Sequence, residues 1–263
     1  MAEPHHPDPA GRFSGLAELY ARNRPSYPDE AIEAILSHCD LRPGCRVVDV
    51  GCGTGISSRL FALRFLDVVG IEPNGGMRAQ AAREALPPGI PPPEYRDGRA
   101  EATGLADAFA DAVVAAQAFH WFQPAAALQE FHRILKPGGW VVLLWNERDE
   151  RDPFTAAYGE AVRSIPGAAL IEADRALAGA SLLSCPLFER AERRLFHGSQ
   201  TLDLDGLLGR TFSASYAPRD PEQASALAAK LTELFRQFER MGHVEVRYET
   251  AVYLARRPRP SNV

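Results

Sequence analysis

One stretch constrains the possible folds of this chain more than any other. Arg46-Val47-Val48-Asp49-Val50 runs directly into Gly51-Cys52-Gly53-Thr54-Gly55. An unbroken β-branched run suits a strand covered on both faces, the environment of a parallel sheet. Glycine at every second position then lets the backbone turn sharply and approach a ligand without side chains in the way. Parallel strands need crossover connections, so the flanking sequence should alternate between helix and strand.

It does. A helix is predicted from Asp29 to about His38, with Ile32, Ile35, Leu36 and Cys39 on one face and Pro43-Gly44 beyond its end. A second follows Gly55 and carries Ile56, Leu60, Leu63 and Phe65. Asp67 to Glu72 reads as a short strand, Gly75–Leu86 as a helix, and the vicinity of Tyr95 as another short strand after a proline-rich loop. Ala112–Ala116 is the next strand. The helix Pro124–Leu135 ends at Lys136-Pro137-Gly138-Gly139, a cation followed by breakers, and Trp140–Trp145 is the fifth strand. Alternation of this kind predicts an open, doubly wound α/β sheet with helices on both faces.

Beyond Asn146 the periodicity weakens. Residues 147–187 read as helical with irregular breaks, and their arrangement stays open. Residues 189–204 can form a strand, Asp220-Pro221-Glu222-Gln223 is a strong helix start, and Val244, Val246 and Tyr248 alternate as a closing strand. The first 13 residues, rich in Pro, His and Asp, are expected to be loosely held. The chain is expected to form a single domain over residues 1–263. Residues 1–40 would be a helical lid and 41–146 a ligand-binding core. Residues 147–216 would be a cap insertion with an edge strand, and 217–263 a final helix and strand.

With 46% hydrophobic and 24% charged residues, disorder and coiled coil are excluded. A net charge of −5 gives no footprint for nucleic acid. No apolar run approaches the ~20 residues of a membrane helix. The start MAEPHHPDPAGRF lacks both a basic region and an apolar core, so no signal peptide is read there. Cysteines 39, 45, 52 and 185 form no CxxC pair and have no histidine at zinc spacing. A cytoplasmic protein with no metal, acting as a monomer or homodimer, is expected.

The glycine loop is G-x-G-x-G. Ile56 stands where the dinucleotide fingerprint G-x-G-x-x-G needs glycine, which disfavours a nicotinamide dehydrogenase. Glu72 ends the second strand 17 residues after Gly55, where a carboxylate can accept hydrogen bonds from both hydroxyls of a ribose. A nucleoside ligand follows, and no lysine near the loop points to a phosphate.

VVDVGCGTG, the acid in VGIEPN, the stretch DGRAEATGLADAFADAVVAAQAFHWF and RILKPGGWVVLLWN together resemble class I S-adenosylmethionine-dependent methyltransferases, within the small-molecule group that includes trans-aconitate methyltransferase-like proteins. The resemblance covers residues 12–146 by motif and the remainder by element order. It departs from the common pattern in having Glu72 where Asp is frequent. It implies a Rossmann-like, seven-stranded, mostly parallel sheet with a helical or irregular substrate cap, and S-adenosylmethionine as cofactor. It also implies contacts. Asp49, Gly51, Cys52 and Gly53 would line the methionine end, Glu72 would hold the ribose, and Pro73 and Met77 would pack on adenine. Ala100 and Glu101 would lie at the adenine edge, with Gln117 and Ala118 at the methionine portion.

For the acceptor, His120 in Phe119-His120-Trp121-Phe122 follows the fourth strand at the sheet's carboxyl edge, and is the catalytic candidate. The competing reading is a hydrogen-bonded strand-end histidine whose neighbours are core. Trp121 would wall the pocket. Tyr20, Arg24 and Tyr27 resemble the family's closing amino-terminal segment, and Arg24 could clamp a carboxylate. Arg210 and Tyr216 are the polar candidates of the later cap. The function expected is methyl transfer by direct displacement to a small molecule, a carboxylate among the candidates. The alternative is a non-catalytic nucleoside-binding regulator that kept the cofactor site.

Overall fold

The computed structural model describes residues 17–214, 216–218 and 220–260. The segment expected to be loosely held lies outside the described residues. Seven strands form one sheet in the order β3-β2-β1-β4-β5-β7-β6. They are β1 (Arg46–Val50), β2 (Asp67–Ile71), β3 (Glu94–Arg96), β4 (Ala110–Ala116), β5 (Leu135–Arg148), β6 (Glu189–Leu202) and β7 (Val244–Arg256). The pairs β1–β2, β1–β4, β2–β3 and β4–β5 are parallel, and β7 runs antiparallel to both its neighbours. This is the mostly parallel, doubly wound sheet that the alternation predicts.

The unbroken apolar strands are covered on both faces. Val48, Val113, Val141 and Leu143 face a core with Phe131 and Ile134 of α5 (Pro124–Ile134) and Leu182 of α7 (Ala168–Leu183). Their neighbours Val47, Val114, Val142 and Leu144 face Ile32 and Ile35 of α2 (Asp29–His38) and Phe61 of α3 (Ile56–Ala62). Alternate residues of a pleated strand point to opposite faces, so a strand buried on both is apolar almost throughout, and the polar Asp49 within β1 stands out.

A third core lies apart from these two. It joins Phe154 and Tyr158 of α6 (Pro153–Arg163), Leu207 of α8 (Leu204–Phe212) and Leu231 of α9 (Pro221–Phe238) to Val244, Val246 and Tyr248 at the start of β7. Because β7 is antiparallel, Tyr248 pairs with Arg148 at the carboxyl end of β5. The antiparallel β6–β7 pair therefore carries this third core out past the sheet edge where β1, β2 and β4 end.

Several boundaries differ from the sequence reading. β5 begins at Leu135 rather than Trp140, because Gly138 N donates to Arg257 O (3.0 Å) and Arg257 N to Gly139 O (2.8 Å), which draws the Lys-Pro-Gly-Gly turn onto β7. The helix α4 (Gly75–Arg83) stops short of Leu86. Helix α8 was expected only as cap, yet Asp203 accepts from Gly206 N (2.7 Å) and nucleates it as an N-cap. Among the described residues no helix is long and apolar enough to cross a membrane.

Candidate active site

The strand order reverses between β1 and β4, and the crevice beyond that point is where open α/β sheets hold ligands. There the loops after β1, β2, β4 and β5 line a cavity of about 450 Å³.

Its first end is built on the glycine loop, whose three glycines do different jobs. A Cβ on Gly51 would lie 2.7 Å from the Ala118 Cβ and 2.9 Å from the Phe122 ring, so a bare residue lets the loop dock on the end of β4. A Cβ on Gly55 would lie 2.2 Å from the Tyr95 hydroxyl. A Cβ on Gly53 would meet no protein atom within 4 Å, and Gly53 lines the cavity. Its missing side chain leaves room for a ligand rather than for protein.

Glu72 locks the loop to β2. Its Oε2 accepts from Gly53 N (3.0 Å) and its Oε1 from Asn74 N (2.9 Å). Each oxygen keeps capacity for a further donor, an arrangement that suits a vicinal diol. Burial raises the Glu72 pKa, opposed by those two N–H groups and by Arg78. Cys52, Pro73, Met77, Ala100 and Glu101 line the same end. Met77 N donates to the Asn74 side chain (3.0 Å), which caps α4 and sets Met77 in place. Gln117 and Ala118 close this end. Gln117 has φ +54°, a left-handed conformation that costs a non-glycine residue about 1–2 kcal/mol, and Gln117 N donates to Leu144 O (2.8 Å).

Asp49 sits elsewhere than expected. It is fully buried beneath the loop and is absent from the cavity wall. Its Oδ2 accepts from the hydroxyls of Ser57 and Ser58, both at 2.6 Å, and so ties β1 to α3. Burial raises its pKa, and the two serines oppose the shift.

The second end is lined by side chains from distant segments. Tyr20 belongs to α1 (Ala17–Asn23), Arg24 and Tyr27 follow it, Trp121 lies in the 3₁₀ turn Phe119–Trp121, Arg210 is in α8, and Tyr216 follows α8. All six were named from the sequence. The chain also contributes Trp145, Asn146, Glu147, Arg148, Glu150, Arg163, Glu172 and Arg175, which sequence reasoning missed. The first four lie at the carboxyl end of β5. The rule that directed attention to the residues after β4 would have found them too.

His120 is the other correction. It does not line the cavity. The Trp145 Nε1 lies 3.4 Å from its Nδ1 and the Arg175 Nε 3.4 Å from its Nε2. The ring stands behind two residues that do line the wall.

The electrostatics of this end are uneven. Arg148 pairs with Glu172 and, at 3.8 Å, with Glu150; Arg163 pairs with Glu150 and, at 3.8 Å, with Glu172. Arg24 instead donates to Ser213 O (3.3 Å) and lies 4.7 Å from the Tyr20 ring centroid. Arg210, 8% exposed, sits 5.2 Å from the Tyr248 ring centroid. The Nε of Arg24 and both Nε and Nη1 of Arg210 are buried without a hydrogen-bond partner. A buried cation with open donors is costly unless an anion joins it.

Residues 48–143 match the family model described as methyltransferase domain. Together with the sheet order and the glycine loop above, that match identifies what these residues are similar to. Residues 48–143 carry a methyltransferase domain. An uncharacterized methyltransferase of Mycobacterium tuberculosis is 41% identical over 150 residues, 57% of this chain and 58% of that protein. This chain thus spans a little over half the length of the curated relatives it matches first. A structure from Anaeromyxobacter dehalogenans, described as a type II methyltransferase, superposes with a TM-score of 0.65 at 22% identity, covering 90% of this chain and 99% of that one. A phosphoethanolamine N-methyltransferase of Haemonchus contortus, solved with phosphomonomethylethanolamine and S-adenosylhomocysteine, has a TM-score of 0.51 at 16% identity and covers 94% of this chain and 57% of its own. Methyltransferase domains of this class use S-adenosylmethionine, and the residues here fit it. Gly53 faces open space, Glu72 has acceptor capacity to spare, and the buried Thr54 hydroxyl on the cavity wall lacks a partner.

Proposed function

We propose that this chain is an S-adenosylmethionine-dependent methyltransferase acting by direct displacement on a small acceptor that bears a carboxylate. The observation that carries the acceptor class is the pair Arg24 and Arg210, whose open guanidinium donors are buried at the cavity. Glu72 holds the ribose through its two oxygens. Pro73 and Met77 pack against adenine, with Ala100 and Glu101 at its edge. Gly51, Cys52 and Gly53 meet the methionine portion with backbone, while Gln117 and Ala118 flank it from β4.

When bound, S-adenosylmethionine would supply a methyl activated by its sulfonium, which an ionised carboxylate could take by direct displacement of the thioether without losing a proton. Arg24 and Arg210 hold the acceptor in line, and Trp121, Trp145 and Tyr27 exclude water. No side chain is required as a general base, which agrees with His120 standing behind the wall. The segments 17–40 and 147–216 act as lid and cap over this end. The four cysteines, all free, suit a reducing cytoplasm.

The test is methyl transfer from tritium-labelled S-adenosylmethionine across a panel of small carboxylates, phenols and amines. Base-labile label in a carboxylate product supports the reading. Transfer only to phenols or amines overturns the acceptor class. Tight S-adenosylhomocysteine binding without transfer to any class favours a non-catalytic binder.

A further inference from the structure

Five arginines line the acceptor end, Arg24, Arg148, Arg163, Arg175 and Arg210, and they are held in different ways. Arg148 and Arg163 are neutralised by Glu150 and Glu172. Among the described residues no carboxylate pairs with Arg24, Arg175 or Arg210. Of these three, Arg175 is held by an imidazole, through its Nε and the Nε2 of His120 at 3.4 Å.

That choice of partner has a chemical consequence. A carboxylate partner would cancel the guanidinium charge, as it does at Arg148. A neutral imidazole takes one N–H and leaves the whole charge in place, with the two Nη groups as donors. Those two groups form the edge that grips a carboxylate side-on through two parallel hydrogen bonds. The imidazole must accept at Nε2 to do this. Trp145 Nε1 directs its N–H at the other ring nitrogen, Nδ1, at 3.4 Å, so two donors compete for the one lone pair of a neutral ring, and the charged one has the stronger claim. His120 also meets the Trp121 ring in a tilted contact, at 4.8 Å between centroids and 40° between planes. Burial above all, and then Arg24, disfavour the charged form of Arg175, while Tyr216, Tyr20 and Glu172 oppose that shift.

The position is equally specific. Arg175 lies on α7, and His120 lies three residues beyond Gln117, on the turn that flanks the end of the cavity where the transferable methyl would lie. Arg24 leans on Tyr20 and Arg210 on Tyr248, each by a cation–π contact.

Resting on the carboxylate reading above, we propose that Arg175 receives the acceptor's carboxylate directly and that His120 is its positioning residue, acting through Arg175 Nε and never touching the acceptor.

The probes are acetate, benzoate and succinate, titrated calorimetrically into the full chain loaded with S-adenosylhomocysteine, with sodium sulfate as the non-carboxylate control. For the tightest probe, Arg175→Gln is expected to weaken binding by ~10–100-fold, the range for a lost charge-assisted pair. S-adenosylhomocysteine affinity should stay at the wild-type value and thereby report an intact fold. His120→Ala should weaken the same probe by roughly tenfold. His120→Gln should restore it, because an amide oxygen can accept from Arg175 Nε where alanine cannot. If Arg175→Gln binds the probe as wild type does, the proposal is overturned while the carboxylate reading stands. If His120→Gln is as weak as His120→Ala, or neither differs from wild type, the positioning role is overturned. If no carboxylate binds the wild-type protein, or sulfate binds as tightly, the acceptor reading itself fails and takes this proposal with it. Should Arg175→Gln also lose S-adenosylhomocysteine, Arg175→Lys replaces it. It keeps the charge but cannot offer the two-pronged edge, so wild-type probe affinity in that variant overturns the proposal.

Discussion

The two ends of the cavity are built by opposite means. The cofactor end is mostly backbone from short loops: Gly51–Gly55, Glu72 with the cap of α4, and the left-handed Gln117. The acceptor end is mostly long side chains from α1, β5, α6, α7 and α8, brought together by ion pairs and ring contacts. A backbone site depends on what the chain can bend into, so it is written locally in glycine and in one carboxylate. A side-chain site depends on which distant elements meet, and each of its arginines would look like a surface residue in its own segment. The comparison predicts that damage at one end should leave the other end's ligand alone.

The largest effect is expected at Gly53. A Cβ there meets no protein atom, so Gly53→Val should still fold, at a cost of about 1–2 kcal/mol for its φ of +55°. Calorimetry should nevertheless find S-adenosylhomocysteine binding lost by more than ~100-fold, since the added methyls fill ligand space. Gly55→Ala sharpens the contrast. It collides with the Tyr95 hydroxyl at 2.2 Å, so it should lower the melting temperature before it touches binding.

Next comes Glu72. Glu72→Ala should weaken S-adenosylhomocysteine by ~1.5–3 kcal/mol through lost hydrogen bonds to the ribose. The raised pKa of Glu72 adds a pH signature whose sign is definite. Protonation removes acceptor capacity, so wild-type affinity should fall with decreasing pH, starting above the ordinary glutamate range. In Glu72→Gln that dependence should vanish. The linked stability term has the opposite sense. A carboxyl whose pKa is higher folded than unfolded stabilises the fold below its unfolded pKa, and that contribution is lost as pH rises through the folded value. Above its folded-state pKa the free protein holds this carboxylate ionised at a cost in stability, and cofactor binding should offset that cost.

The acceptor arginines should give smaller, more selective effects. Arg24→Gln and Arg210→Gln should each raise the KM of a carboxylate acceptor by roughly tenfold, with kcat and S-adenosylhomocysteine affinity close to wild type. A fall in cofactor affinity in either variant would break the division between the two ends. The smallest effect is expected on cofactor affinity in His120→Ala, which should match wild type within error because Glu72 and the loop hold that ligand.

Legibility in the sequence follows the same division. The strands β1, β2 and β4 and the helix α5 were readable because burial on both faces leaves unbroken apolar runs, and breakers punctuate them. Glu72, Met77 and Gln117 could be placed at the cavity because the strand ends beside them were legible. Asp49 was named with the loop because it is adjacent in sequence, yet the pleat turns its carboxylate beneath the loop, toward Ser57 and Ser58. His120 was read as facing the acceptor for a similar reason, since a strand end predicts proximity to a ligand but not which way a ring points. Residues 147–187 resisted reading because α7 is nearly uniform in Ala and Leu, so no face stands out, although it carries Glu172 and Arg175 into the site.

The sequence by itself determined the sheet, the glycine loop and the carboxylate at the end of β2. Each rests on local physics: backbone that only glycine adopts, strands with no polar face, and a short fixed distance from loop to acid. Only the tertiary structure decided which arginines keep their charge. That outcome depends on where Glu150, Glu172 and His120 come to lie once α6, α7 and the turn after β4 have packed. Such pairings join residues up to 55 positions apart, and no local pattern encodes them.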